Sequence, residues 1–184
     1  MGKITLITGG SRSGKSSFAQ KLAERDCGAK LFIATCPVID EEIAARIQRH
    51  IADRQATGWK TVEEEIDLAG QLAASPGYTV ILVDCLTLWI NNLMYHGSRE
   101  NIPVNDDIVS VRVDTIVKNA LQLPGRVIFV TNEVGLGIVP ENESTRLYRD
   151  LVGRCNQRVA AAAEAVYLVT CGIPISIKGN EDAF

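Results

Sequence analysis

Leu6-Ile7-Thr8-Gly9-Gly10-Ser11-Arg12-Ser13-Gly14-Lys15-Ser16 is the stretch on which the reading of this chain turns. The apolar run Ile4-Thr5-Leu6-Ile7-Thr8 has the character of a buried strand, and Ser17-Phe18-Ala19-Gln20-Lys21-Leu22-Ala23 has helical spacing. Between them, Gly9, Gly14, Lys15 and Ser16 match G-x-x-x-x-G-K-S. In that pattern backbone N–H groups wrap a chain of phosphates, the lysine reaches the β and γ oxygens, and the hydroxyl holds Mg²⁺. The helix that follows points its positive end at the same anion. An ordinary glycine-rich turn is the alternative, and the strand before it and the helix after it argue against that.

Further along, Lys30-Leu31-Phe32-Ile33-Ala34-Thr35, Tyr78-Thr79-Val80-Ile81-Leu82-Val83-Asp84, Arg126-Val127-Ile128-Phe129-Val130-Thr131 and Ala165-Val166-Tyr167-Leu168-Val169-Thr170 are strands that are apolar throughout. Such strands belong to a parallel sheet covered on both faces by helices. The helices are expected at 15–25, 39–54, 66–74, 86–95, 107–121 and 144–163, with a short strand at 60–63 and a closing piece at 174–178. The fold class is therefore α/β: a mostly parallel sheet of the P-loop NTPase type, helices on both faces, in one domain spanning residues 1–184. A chain of 184 residues with 46% hydrophobic content can bury one core of that kind.

The charge balance is close to neutral, with 19 basic against 22 acidic residues, and no dense basic block occurs. Nucleic acid and membrane surfaces are disfavoured as partners, whereas a small anion needs only a local positive site. Five cysteines form no C-x-x-C pair and sit mostly in apolar stretches, which fits a reducing compartment. With no leader and no long apolar run, the expectation is a cytoplasmic protein without membrane insertion.

The helix at 39–54 carries two rows. Ile39, Ile43, Ile47 and Ile51 make an apolar stripe, and Arg46, His50 and Arg54 recur beside it every four residues. Two guanidinium groups one turn from a histidine repel, so the row makes sense under an anion; a solvated basic face moderated by Glu42 and Asp53 is the plainer reading. Under an anion, His50 could attack phosphorus and carry a phosphoryl-linked group as a phosphoramidate. Asp84, at the end of an apolar strand, stands where this fold brings a carboxylate to Mg²⁺. Glu63-Glu64-Glu65 reads as a solvated helix start, Trp89 and Leu93 as core, and residues 96–106, with His96, as a surface loop. Asn132-Glu133-Val134-Gly135-Leu136-Gly137-Ile138-Val139-Pro140 follows a strand, at the edge where open α/β sheets bind ligands.

Taken together, Thr8 to Ser16, Phe32-Ile33-Ala34-Thr35, Ala45-Arg46-Ile47-Gln48-Arg49-His50, Arg54, Thr131-Asn132-Glu133-Val134-Gly135, Gly137-Ile138-Val139-Pro140, Arg149-Asp150, Gly153-Arg154 and Asn156-Gln157 resemble the bifunctional adenosylcobinamide kinase/adenosylcobinamide-phosphate guanylyltransferases. The resemblance covers nearly the whole chain. It implies phosphorylation of the aminopropanol hydroxyl of adenosylcobinamide by a nucleoside triphosphate, GTP or ATP. Transfer of GMP from GTP to adenosylcobinamide-phosphate then gives adenosylcobinamide-GDP and pyrophosphate.

By the same resemblance His50 is the guanylyl carrier and Lys15 its catalytic companion in the phosphate loop. Gly9, Gly10, Ser11, Arg12, Ser13, Gly14, Lys15 and Ser16 hold phosphates, Ala34, Thr35 and Cys36 lie along the nucleotide, and Ile51, Ala52, Asp53, Arg54 and Glu63 complete the guanylyl site. Ser16 and Asp84 are the metal ligands. Asp84 falls where many members carry glutamate, and position 49 is Arg where some carry a second histidine, which leaves His50 as the nucleophile of this helix. Asn132, Glu133, Arg149 and Asn156 are assigned a structural or corrinoid-side part, and a homo-oligomer, a homotrimer, is implied. Two other readings are weighed against this: a small-molecule P-loop kinase without a covalent histidine, and a nucleotide-switch GTPase, which the chain's lack of an Asn-Lys-x-Asp segment disfavours.

Overall fold

A computed structural model describes residues 2–37 and 58–179 of the chain. The expected helix at 39–54, with Arg46, His50, Ile51, Ala52, Asp53 and Arg54, lies outside the described residues.

The elements run β1 (Lys3–Thr8), α1 (Lys15–Glu24), β2 (Lys30–Ala34), β3 (Trp59–Glu63), α2 (Leu68–Ala73), β4 (Val80–Asp84), α3 (Leu86–Glu100), α4 (Asp106–Gln122), β5 (Arg126–Val130), α5 (Glu143–Ala162), β6 (Ala165–Thr170) and β7 (Ile173–Lys178). The strands form one seven-stranded sheet in the order β3-β2-β4-β5-β1-β6-β7. All neighbours are parallel except β6 and β7, which pair antiparallel.

Strand side chains point alternately to the two faces. Ile4 and Leu6 of β1, Leu31 and Ile33 of β2, Ile81 and Val83 of β4, and Val127 and Phe129 of β5 pack against α2, α3, α4 and α5 through Leu68, Trp89, Val113 and Val152. Their neighbours Ile7, Phe32, Leu82 and Ile128 face α1 through Ala19, Leu22 and Ala23. Both faces are apolar because both are covered, which is why these strands lack polar alternation in the sequence. Trp89 and Leu93, expected in the core, are 1% and 5% exposed, and the indole Nε1–H of Trp89 also donates to the Ile66 carbonyl at 2.9 Å. Burying side chains of this size is worth roughly 1.5–3 kcal/mol each, so the α3 face is a main contributor to the fold.

Two expectations are corrected. Residues 96–100 are not loop: α3 continues to Glu100 and ends on Asn101 in the left-handed region. Gly97, which reads locally as a break, is a buried packing position, since a Cβ there would lie 2.6 Å from the Ile102 carbonyl oxygen folded back over it. His96 is accordingly a half-buried helical residue rather than an exposed loop one. The acidic run at 63–65 is also more than a solvated helix start. The Glu64 carboxylate accepts the backbone N–H groups of Ile66 and Asp67 at 2.8 and 2.7 Å, while Asp67 caps α2 through the N–H of Gly70.

Candidate active site at the carboxyl edge of the sheet

The glycine-rich loop joins the carboxyl end of β1 to α1, as its spacing predicts. Gly9 adopts a φ of 151°, and a Cβ at that position would stand 2.2 Å from the Val169 carbonyl oxygen, so only glycine lets the loop pass β6 so closely. Gly14, with φ 98°, starts α1 without a side-chain cap. The first N–H groups of α1 thus have no side-chain acceptor from the cap residue and are oriented toward an incoming anion.

The loop is fixed from both sides. The Gly172 N–H donates to the Ser13 carbonyl at 2.8 Å from the β6–β7 turn, and the Glu133 N–H donates to the Gly9 carbonyl at 3.0 Å from the segment after β5. Among the described residues, the hydroxyls of Thr8 and Ser13 are buried without a hydrogen-bond partner. Buried hydroxyls in this position suit a phosphate oxygen, because leaving them unpaired costs free energy.

Lys15 is 7% exposed, and its Nζ donates to the Gly10 carbonyl at 2.7 Å, folding the side chain back along the loop. Burial lowers the lysine pKa, while nearby Cys85 and Asp84 act in the opposite direction. A desolvated ammonium of this kind interacts with phosphate oxygens more strongly than one in water.

Asp84 ends β4 opposite Ala34 of β2, and Ala34 in turn pairs with Glu63 at the end of β3. The register therefore sets two carboxylates on either side of the β2 terminus. Asp84 is in phase with Val80 and Leu82, which face α1, so it shares the face of the phosphate loop. Ser16, the other expected metal ligand, is exposed on the first turn of α1. The described residues contain no group of three His, Cys, Asp or Glu arranged to enclose a metal ion. One hydroxyl and one carboxylate, with the rest supplied by phosphate oxygens and water, is the donor set that suits Mg²⁺.

Thr35 is fully buried, and its hydroxyl is committed to the backbone of Cys85. Its part is to lock β2 to β4 beneath the site, while Cys36, half-buried just beyond, stands at the rim. Burial, then the charge of Asp84, pushes the Cys85 thiol up to about 11.

A polar cluster that the sequence alone does not disclose supports the other side of the edge. The hydroxyls of Thr87 and Thr131 lie 3.2 Å apart, Thr131 donates to Asn156 Oδ1 at 2.7 Å, the Asn132 N–H donates to the Thr87 hydroxyl at 2.6 Å, and Asn156 returns a bond to the Asn132 carbonyl at 3.1 Å. Thr, Asn and Thr are too common for their spacing to announce this. The Asn132-Glu133 and Asn156 motif positions were the available signal, and they prove to be held in one network.

The segment beyond Asn132 is held as tightly. Glu133 Oε1 accepts the Gly135 N–H at 2.6 Å, Arg149 donates to the carbonyls of Gly135 and Ile138 at 2.7 and 3.3 Å, and Arg146 donates to the carbonyls of Pro140 and Glu141. Arg154 and Arg158, on the same helix, instead pair with Asp106 and Asp114 of α4 at 2.9 and 2.8 Å.

Residues 5–177 match the family model described as cobinamide kinase / cobinamide phosphate guanyltransferase. The chain is 40% identical over 183 residues to the bifunctional adenosylcobalamin biosynthesis protein CobU of Salmonella typhimurium, covering 95% of this chain and 99% of that protein. It is 38% identical to the protein of the same name from Escherichia coli, with the same coverage, and 38% identical over 176 residues to CobP of Pseudomonas aeruginosa, covering 95% and 97%. Among solved structures, the RadB recombinase superposes with a TM-score of 0.51 at 11% identity, over 90% of this chain and 73% of that one. A type III secretion system ATPase superposes with a TM-score of 0.57 at 11% identity, over 100% and 60%. At that identity the two structures speak for the fold alone, a P-loop NTPase-type sheet. Among the described residues no helix is long and apolar enough to cross a membrane.

Proposed function

The chain belongs to the cobinamide kinase / cobinamide phosphate guanyltransferase family, a bifunctional family of cobalamin biosynthesis, and from that premise we propose how its residues carry the two reactions. The observation that carries the reading is the coupling of a formed phosphate cradle, with Lys15 buried in it, to a family match that runs through the histidine-bearing segment.

In the kinase step the aminopropanol hydroxyl of adenosylcobinamide attacks the γ-phosphorus of GTP or ATP in line, and the nucleoside diphosphate departs. Lys15 leaves the Gly10 carbonyl for the β and γ oxygens, and the amides of residues 9–16 hold the remaining charge. Ser16 and Asp84 would hold Mg²⁺, which would supply neutralisation of the charge that develops in the transfer.

In the guanylyl step a ring nitrogen of His50 attacks the α-phosphorus of GTP, pyrophosphate leaves toward the phosphate loop, and GMP remains on the ring. An oxygen of adenosylcobinamide-phosphate then attacks the same phosphorus, freeing His50 and giving adenosylcobinamide-GDP. Arg46 and Arg54, four positions either side in the sequence, stabilise the charge on the phosphorus oxygens, with Cys36, Ile51, Ala52, Asp53 and Glu63 around the guanosine.

All 184 residues act as one domain in the cytoplasm, which the five free thiols support. The active form is a homotrimer; the isoleucines Ile173, Ile175 and Ile177, 63%, 46% and 59% exposed on the edge strand β7, support self-association.

The test is to incubate the protein with Mg²⁺ and GTP labelled at the α-phosphate and seek label that survives alkali but not acid, in parallel with His50→Ala. Label on the parent and none on the variant is expected. No label on a parent that still phosphorylates cobinamide would reduce the protein to a kinase.

A further inference from the structure

The segment after β5 presents large apolar side chains to solvent on a backbone that is held down at many points. Leu136 is 87% exposed, Ile138 96% and Val139 65%, the most exposed stretch of large apolar residues among those described. An apolar loop this bare is normally mobile or folded inward, since each side chain gains by leaving water. Here the carbonyls of Gly135, Ile138, Pro140 and Glu141 are all occupied by the guanidinium groups of Arg149 and Arg146, and Glu133 ties the Gly135 N–H. Two arginines fix the backbone while burying none of the three side chains, which is the arrangement of a preorganised contact surface.

Its place limits what it contacts. The Glu133 N–H donates to the Gly9 carbonyl, so the segment that carries the apolar knuckle starts out from the phosphate loop, three residues before Leu136. Three side chains fall well short of the roughly 800 Å² per partner that a stable protein interface needs. They match the face of one rigid macrocycle.

We propose that Leu136, Ile138 and Val139 form the docking surface for the corrin ring of the acceptor, which deepens the reading given above and rests on it. A corrin offers methyl-studded apolar faces with an amide-bearing rim. The knuckle takes the face, and the exposed Glu141 beside it offers acceptors to the amide N–H groups. The aminopropanol arm then extends toward the phosphate loop.

The experiment measures steady-state phosphorylation of cobinamide, varying cobinamide and GTP in turn, for the parent, Ile138→Asp and Ile138→Leu, with sedimentation and thermal melting of each. Because the side chain is in solvent, Ile138→Asp is expected to melt and sediment as the parent does. Its KM for cobinamide should rise tenfold or more with the KM for GTP unchanged, and Ile138→Leu should stay within about twofold of the parent. An unchanged cobinamide KM in Ile138→Asp overturns the docking surface while leaving the proposed function intact. A change in sedimentation overturns it too, in favour of a contact between copies of this chain. A parent that leaves cobinamide unmodified overturns the proposed function and this inference with it.

Discussion

A single hydroxyl joins Thr35 to Cys85 in both directions: Thr35 Oγ1 donates to the Cys85 carbonyl at 2.8 Å and accepts the Cys85 N–H at 2.7 Å, fifty positions apart in sequence. The Thr35 N–H reaches the Asp84 carbonyl as well, at 3.1 Å, and Asn92 Nδ2 donates to the Thr35 carbonyl at 2.8 Å. The ends of β2 and β4 are thereby clamped just below the carboxylate that faces the phosphate loop. Thr35→Val keeps the shape and leaves the buried Cys85 N–H unpaired, while the Cys85 carbonyl keeps the Trp89 N–H at 3.1 Å; this should lower unfolding free energy by about 1–3 kcal/mol in a urea titration. Thr35→Ser retains the hydroxyl and should lose far less.

Lys15 supports a prediction in which activity and stability part company. Lys15→Met removes the ammonium that meets the β and γ oxygens and should cut phosphorylation about 10²–10³-fold, the usual scale for one group stabilising transition-state charge. The same change takes a desolvated charge out of the fold, and its burial is what lowers the lysine pKa. Thermal melting of the variant is therefore expected to equal or exceed that of the parent. A fall of several degrees would mean that the Gly10 contact outweighs the burial penalty.

Gly9→Ala should affect both properties together. The new Cβ would meet the Val169 carbonyl oxygen and the Ser13 hydroxyl, at 2.2 and 2.9 Å, in a backbone conformation that L residues rarely adopt. A loss of order 1–3 kcal/mol in stability is expected. Nucleotide affinity by calorimetry should fall as the loop moves off β6, whereas Gly10→Ala, with open space at its Cβ, should keep more of both.

The thiols divide by burial. Cys27 and Cys171 are exposed and should react with a disulfide reagent at once, while Cys85 and Cys155 should react only after denaturation. Burial pushes Cys155 up to about 12 and, helped by Asp84, Cys85 up to about 11, against an ordinary value of 9.0. Both folded pKa values are raised, so this contribution is intact below pH 9, where the thiols are protonated in either state. It is lost as pH rises from 9 toward 11 and 12, because only the unfolded chain then sheds protons. Urea midpoints measured from pH 8 to 10.5 should fall above 9, and less steeply in a Cys85→Ala, Cys155→Ala variant.

Much of this molecule is legible along the chain. Residues 4–8, 30–34, 80–84, 126–130 and 165–170 are apolar without alternation and prove to be strands with both faces covered, within a residue or two of the expected bounds. The phosphate loop is legible because its chemistry is local: the glycines, lysine and hydroxyl act within eight consecutive positions. Gly97 misleads for the complementary reason. A glycine in a polar stretch reads as a break, and only the return of Ile102 over it shows that it is there for packing. The roles of Thr35, Thr87, Thr131 and Asn156 are illegible because each rests on a partner 25 to 50 positions away.

By itself the amino-acid sequence determined the covered α/β sheet, the phosphate cradle and the family, because strand burial, turn chemistry and a nucleotide loop are written in neighbouring residues. Only the tertiary structure decided that Asp84 and Glu63 flank the end of β2, that Thr35 is spent on Cys85, and that Arg146 and Arg149 hold the backbone that bears three bare apolar side chains. Strand order, register and long-range hydrogen bonds are set by the packing of the whole core, and no short window of sequence contains them.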